Sequence, residues 1–286
     1  MSKIKIFVDT AADMPEQIAK EKNIGVLRFM SIFGEEAFVT GTELTNEEFY
    51  KKLEQAEDIP TTSQTPYADI YDALLEASKE YDTVIYFTIS SKASGQHNTA
   101  KMVAEEIKEE NPNADIRIVD TMRFSAYISL AAYHATELLE QGESADSIIE
   151  KSLSYMNEWQ AYILVDTLKY LEKGGRITKT SAIVGTLLDI KPVLTVNNGL
   201  IEPLEKLRGK KKLFKKLIEL MKENPNFDDE KKEIIVVHSN DDYCAETKEL
   251  LEDEFDKPAF MEFKFGPVVG THIGPGVLAL LFRLKK

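Results

Sequence analysis

Short apolar runs alternate with amphipathic segments along the first half of the chain. The runs at residues 4–10, 83–89, 115–121 and 161–167 have the length of β-strands, and the run at 83–89 is apolar almost throughout. Near-continuous apolar runs are typical of parallel strands that are buried on both faces. Between the runs, residues 44–55, 67–81 and 93–110 carry apolar side chains at helical spacing. This alternation predicts an α/β fold with parallel strands.

The pattern changes after residue 167. Two short helical pieces precede two apolar runs that are joined by Asn197-Asn198-Gly199, and Asn-Gly between apolar runs is a strong hairpin signal. Further on we predict helices at 210–223 and 242–255, strands at 232–239 and within 261–275, and a last helix at 276–284. The sequence therefore predicts a parallel-sheet α/β N-terminal domain at 1–160 and an α/β C-terminal domain with antiparallel strands at 161–286.

Composition narrows the class of protein. With 286 residues of which 43% are hydrophobic, the chain can bury a sizeable core, and its net charge of −14 argues against nucleic-acid binding, which needs a basic face. The single Cys244 excludes an internal disulfide framework and a multi-cysteine zinc cage, and the four histidines do not cluster at metal-ligand spacing. No signal peptide or membrane-length apolar run is visible, so we expect a cytoplasmic protein.

One tripeptide ends three of the predicted strands. Val-Asp-Thr occurs at 8–10, 119–121 and 165–167. Helix capping explains any one of these Asp-Thr pairs. If the strands share one parallel sheet, however, all three pairs lie at its carboxyl edge, where open α/β folds bind their ligands. We expect the functional site at this edge.

Residues 59–66, IPTTSQTP, place a run of small polar side chains between two predicted helices. Thr65 is predicted to cap the second helix, with Pro66 at its first position. This assignment leaves Thr61, Thr62, Ser63 and Gln64 with spare hydrogen-bonding capacity.

A serine and a histidine open the predicted helix in SSKASGQHNTA, residues 90–100. Ser94 and His97 are either a helix cap with its neighbour three residues on, or a nucleophile and its base. Ser94, Gly95 and the free N–H groups of the helix start also suit a carboxylate or a phosphate. His272, among glycines at 266–276, is either a structural residue or part of a site.

No familiar nucleotide or hydrolase motif is present. The chain lacks a phosphate loop, a G-x-G-x-x-G after the first strand, and a G-x-S-x-G. Two basic features remain open. Residues 205–216 carry seven basic side chains, which form either a solvated face or a docking surface for an acidic partner. Arg176 follows a Gly-Gly helix stop and either accompanies a plain C-cap or lies near the domain interface.

Six segments, taken together and in order, resemble the DegV family of bacterial fatty-acid-binding proteins. They are FVDTAADMP, PTTSQTP, ISSKASGQHNTA, VDTLKYLEKGGRI, IKPVLTVNNGLIEPLEKLRGKKK and GPVVGTHIGPGVLAL. The resemblance covers nearly the whole chain. It implies a two-domain α/β fold in which a long-chain fatty acid of the palmitate, stearate or oleate class lies buried between the domains, with no further cofactor.

The resemblance also implies roles for individual residues. Thr62, Ser63, Ser94 and Gly95 are expected to hold the fatty-acid carboxylate, with His272 in the same network. The protein is expected to be a carrier and not an enzyme. It would exchange its lipid at a membrane surface and present it to a separate fatty acid kinase of the dihydroxyacetone-kinase-like type. That kinase would make an acyl phosphate after docking at Arg208, Lys210 and Lys211.

This chain departs from the family pattern after residue 121. Arg123, Phe124 and Tyr127 stand where small residues are usual, and if they line the acyl tunnel, the preferred chain length or saturation differs. An acyl hydrolase or phosphotransfer enzyme that uses Ser94 and His272 on the same scaffold stays an alternative.

Overall fold

The computed structural model describes residues 3–178, 190–208, 213–256 and 259–285. Its first layer is a parallel sheet of four strands in the order β2-β1-β6-β7. The strands are β1 (Ile4–Asp9), β2 (Ile24–Leu27), β6 (Thr83–Thr88) and β7 (Ile116–Asp120). All six residues of β6 are buried, because a central parallel strand is covered on both faces.

Helices cover both faces of this sheet. On one face, α3 (Tyr67–Glu80) and α4 (Gln96–Glu110) pack with Val84 and Tyr86. On the other face, α5 (Ala126–Glu140) and α6 (Ala145–Asn157) pack in a larger core with Ile85 and Phe87. The alternation of burial partners along β6 follows from the period of two residues in a strand.

A second sheet of six strands has the order β10-β9-β8-β13-β11-β12. Its strands are β8 (Trp159–Val165), β9 (Ile190–Asn197), β10 (Leu200–Arg208), β11 (Glu233–His238), β12 (Ala259–Lys264) and β13 (Val277–Arg283). Only β11 and β12 pair in parallel. Helices α8 (Leu213–Lys222) and α9 (Asp241–Glu254) cover one of its faces. The predicted fold class, a parallel sheet followed by a largely antiparallel one, is confirmed.

Smaller elements are inserted between the strands of these two sheets in the sequence. A three-stranded antiparallel sheet has the order β4-β3-β5, from β3 (Met30–Phe33), β4 (Glu36–Val39) and β5 (Thr61–Ser63). The remaining helices are a 3₁₀ turn (Thr10–Ala12), α1 (Glu16–Glu21), α2 (Asn46–Gln55), α7 (Lys169–Gly174) and α10 (Pro267–Ile273). No helix in the described part of the chain is long and apolar enough to cross a membrane.

The predicted hairpin is confirmed, but the predicted last helix is wrong. Asn198 and Gly199 join β9 to β10 with φ values of 47° and 82°, as a tight hairpin turn requires. The apolar run at 276–284 forms strand β13, whose seven residues are all buried between β8 and β11. A run that is apolar on every side cannot be assigned by periodicity alone. Strand β8 begins at Trp159, and the domain division at residue 160 stays a prediction.

The prediction that the three Val-Asp-Thr segments share one sheet edge is wrong. Asp9 and Asp120 end strands of the parallel sheet, whereas Asp166 follows β8 of the six-stranded sheet. Asp9 is fully buried and accepts hydrogen bonds from Ala11 N, Ile89 N and the Tyr86 hydroxyl. Burial raises the pKa of Asp9 to about 6 despite these donors. Asp9 thus ties the end of β1 to the neighbouring strand β6.

The difference between Asp9 and Asp166 gives a stability prediction. In Asp9→Asn an amide N–H₂ faces the donors that the carboxylate now satisfies, and we expect the free energy of unfolding in urea to fall by about 1–3 kcal/mol. Asp166→Asn is the matched control. Asp166 is exposed and bonds Lys191, so its loss should cost less than about 1 kcal/mol. Equal effects of the two substitutions would contradict this account.

Candidate functional site

A cavity of about 290 Å³ lies where elements of both sheets meet. One part of its wall is polar. This part contains Thr62, Ser63, Gln64, Ser94, Gly95, Arg176 and His272. The five predicted carboxylate-binding residues, which come from β5, the start of α4 and the helix α10, are therefore brought together at one cavity.

Apolar side chains form the rest of the described wall. They are Phe29, Ile89, Ala93, Phe124, Ile201, Val268, Val269 and Ile273. The wall thus has the composition of a small-molecule pocket, which combines a mostly apolar lining with a few polar groups that fix orientation.

Thr62 is held by strand pairing. Strand β5 pairs antiparallel with β3, and Thr62 lies opposite Ser31. The Thr62 hydroxyl is 3.0 Å from Nε2 of His272, so one hydrogen bond joins β5 to α10. Neighbouring Thr61 is exposed and does not belong to the cavity wall described above.

The capping role predicted for Thr65 is wrong. Helix α3 begins at Tyr67, with Pro66 before it and no side-chain cap. Thr65 is instead buried and exchanges two hydrogen bonds with the Gln96 side chain, one through its backbone N–H and one through its hydroxyl. Thr65 therefore ties the end of the polar loop to the first residue of α4.

Ser94 lies just before α4. Its hydroxyl accepts a hydrogen bond from Gln96 N at 3.2 Å. A Cβ at Gly95 would lie 2.9 Å from Oε1 of Gln64, so the glycine leaves room for this side-chain amide at the helix start. His97 turns away from Ser94, and its Nδ1 is 3.0 Å from the Thr88 hydroxyl. These contacts do not support the alternative in which Ser94 and His97 are a nucleophile and its base.

His272 lies in the last turn of α10 and packs against the end of α7. A Cβ at Gly174 would be 2.6 Å from His272 Nδ1, so this glycine makes room for the ring. Burial, together with the nearby positive charge of Arg176, lowers the pKa of His272 to about 4. The ring is therefore neutral at physiological pH, and the site can use it as a donor or an acceptor without burying a second cation.

Arg176 is the residue that the sequence analysis left undecided. The Gly-Gly stop ends α7 with Gly175 in the left-handed conformation at φ 68°, and the chain then turns Arg176 into the cavity wall. Its Nε donates to Ala93 O at 3.2 Å, and its Nη1 donates to Gly174 O. The segment is a C-cap that also places Arg176 at the cavity. In the sequence, the Gly-Gly-Arg tripeptide was the feature that could have indicated this position of Arg176.

The other predicted residues are placed less centrally. Phe124 belongs to the cavity wall, whereas Tyr127 is buried behind it with the Arg123 guanidinium 5.5 Å from its ring centre. Arg208 is exposed at the end of β10, where its carbonyl accepts from Lys216 Nζ. Lys210 and Lys211 lie outside the described residues.

The geometry does not pair Ser94 with His272 as a nucleophile and base. His272 Nε2 is bonded to Thr62, and the Ser94 hydroxyl is bonded to Gln96 N. No carboxylate is found among the described residues of the wall to orient the imidazole. The arrangement is a set of hydrogen-bond donors beside one guanidinium, which suits an anionic head group.

Nearly the whole chain matches the model of one known protein family. The family model described as "Uncharacterised protein, DegV family" matches residues 3–285. The chain belongs to the DegV family. A DegV domain-containing protein from Clostridium perfringens is 34% identical over 99% of this chain and 98% of its own length.

Two solved DegV structures align with the whole of this chain over their own full length. DegV from Bacillus subtilis, described as a fatty acid binding protein, is 30% identical and superposes with a TM-score of 0.87. A fatty acid binding DegV family protein from Streptococcus agalactiae is 32% identical, with a TM-score of 0.85. The resemblance inferred from six sequence segments is therefore confirmed at the level of family and fold.

The pKa of His272 can be measured directly. We expect the NMR titration of its Cε1–H to have a midpoint of about 4, identified by its loss in His272→Gln. In Arg176→Gln the repulsion between the two cations disappears, so the midpoint should rise towards the ordinary 6.5. A wild-type midpoint near 6.5, or no change in Arg176→Gln, would show that the ring is not buried beside this charge.

Proposed function

We propose that this protein binds a long-chain fatty acid in the cavity, with the carboxylate at the polar end and the acyl chain along the apolar wall. The observation that carries the proposal is the division of one cavity into a donor-rich end and an apolar remainder. The description of two DegV relatives as fatty acid binding proteins supports the same ligand class.

Affinity and orientation would come from different parts of the site. Burial of a methylene contributes about 0.8 kcal/mol, so some fourteen methylenes contribute on the order of 10 kcal/mol. The hydroxyls of Thr62 and Ser94 would fix the carboxylate. If Nε2–H of neutral His272 donates to the Thr62 oxygen, the Thr62 hydroxyl hydrogen is free to donate to the carboxylate. Arg176 would supply the countercharge.

We further propose a carrier role for the protein. The protein would take up its fatty acid at a membrane surface and present the carboxylate to a separate ATP-dependent kinase that forms an acyl phosphate. A protein that leaves catalysis to a partner needs no nucleophile–base pair, and the Ser94 hydroxyl bonds Gln96 N and not His272. Arg208 would belong to the docking surface, since it is exposed on the edge strand β10.

Thr62 and Thr61 form a matched pair of test positions on one strand. Thr62→Val removes a hydrogen bond to a charged group, which is worth about 1.5–3 kcal/mol, so the Kd for palmitate should rise about 10- to 100-fold. Thr61→Val, at a residue outside the described cavity wall, should leave the Kd unchanged. Fluorescence titration of delipidated protein measures the Kd of each variant. Equal Kd values for the two variants would show that Thr62 does not bind the carboxylate.

The kinase partnership has its own test. We expect Arg208→Ala to retain palmitate with unchanged affinity and to lose its phosphorylation by a fatty acid kinase of the dihydroxyacetone-kinase-like type with ATP. Lys20→Ala is the control, since Lys20 is an exposed cation on α1 whose ion pair with Glu16 is worth little. Acyl phosphate formation at the wild-type rate in Arg208→Ala would contradict docking at this residue.

A further inference from the structure

Three metal-ligating side chains converge in the second sheet, apart from the fatty-acid cavity. His238, Cys244 and Glu262 each offer one ligand atom, and these atoms all lie within 4.8 Å of one another. His238 ends β11 and Glu262 lies in β12, where it pairs with Val236 across the parallel ladder. Since side chains two residues apart share a strand face, His238 and Glu262 point to the same side. Cys244 reaches them from the first turns of α9.

The hydrogen bonds of His238 direct its Nε2 towards Glu262. His238 Nδ1 is 3.0 Å from the carbonyl oxygen of Asn240, which can only accept, so Nδ1 carries the hydrogen. Nε2 is 3.1 Å from Glu262 Oε1. In a neutral ring of this tautomer, Nε2 is a bare acceptor facing a carboxylate. A metal ion between Nε2 and Oε1 would use the lone pairs of both atoms.

The three-residue cluster is buried on one side and open to solvent on the other. His238 is 1% exposed and Cys244 is 3% exposed, whereas Glu262 is 39% exposed and gives access from solvent. Lys248 Nζ donates to Glu262 Oε2 at 3.0 Å, and the other carboxylate oxygen, Oε1, faces His238. Asp241 Oδ1 is 3.7 Å from His238 Nδ1, on the opposite side of the ring, and pairs with Lys264.

We propose that His238 Nε2, Cys244 Sγ and Glu262 Oε1 form a three-ligand site for a zinc-class divalent transition metal, with water in the fourth position. Nitrogen and thiolate ligands favour Zn²⁺ over Mg²⁺ or Ca²⁺. On binding, the Cys244 S–H bond gives way to a metal–sulfur bond and the proton passes to solvent. The Asn240 carbonyl fixes the ring tautomer, as outer partners of metal-bound histidines do.

A metal bound here would link β11, β12 and α9. The three ligands come from separate elements, so the metal would bind the folded protein and not the unfolded chain. The free energy of unfolding would therefore rise with the metal concentration. The sequence could not show this site, since its ligands are separated by chain segments that follow no motif spacing.

Metal titration of the chelator-treated, full-length protein tests the proposal. We expect one equivalent of Zn²⁺ to bind, and Co²⁺ to give a near-ultraviolet thiolate charge-transfer band. Cys244→Ala and Glu262→Gln should each weaken Zn²⁺ binding at least about tenfold. His134→Gln is the matched control, because His134 and Glu137 are also 3.1 Å apart.

Several outcomes would overturn the site. One is a Co²⁺ complex of the wild-type protein with no thiolate band, which remains decisive if Cys244→Ala fails to fold. Zn²⁺ affinity that is unchanged in Cys244→Ala, or weakened equally in His134→Gln, would also overturn it.

Discussion

The hydrogen bond between Thr62 and His272 joins residues 210 positions apart in the chain, and the candidate site depends on it. It requires β5 to pair with β3 and α10 to pack on α7, with Gly174 leaving room for the ring. Ser90 adds a second long-range link, since its hydroxyl donates to the carbonyl of Gly199 at the tip of the β9–β10 hairpin. The polar end of the cavity therefore exists only when both halves of the chain are folded together.

Electrostatics at this polar end favour one arrangement of charge. A buried anion is costly unless it is paired and hydrogen-bonded. The lowered pKa of His272 keeps that ring neutral, so Arg176 is the charged side chain in the described wall. An anionic head group would meet one fixed guanidinium and several neutral donors. A second buried cation would increase the desolvation penalty that the site pays when no anion is bound.

Much of the fold could be predicted from local patterns, and the exceptions have physical reasons. Asn198-Gly199 predicted its hairpin because few residue pairs adopt two positive φ values. The apolar run of β13 was misread as a helix, because a strand buried on both faces has no periodicity. Thr65 was misread as a cap since its true partner, Gln96, is brought close only by tertiary packing. The position of Arg176 likewise depends on how α7 ends against α10.

Mass spectrometry of organic extracts from the purified protein, before any lipid is added, tests the central claim most directly. We predict one long-chain fatty acid per protein chain, recovered intact. A clean extract, from protein that also fails to take up added palmitate, would contradict the account and leave the DegV fold without the ligand that its cavity suggests.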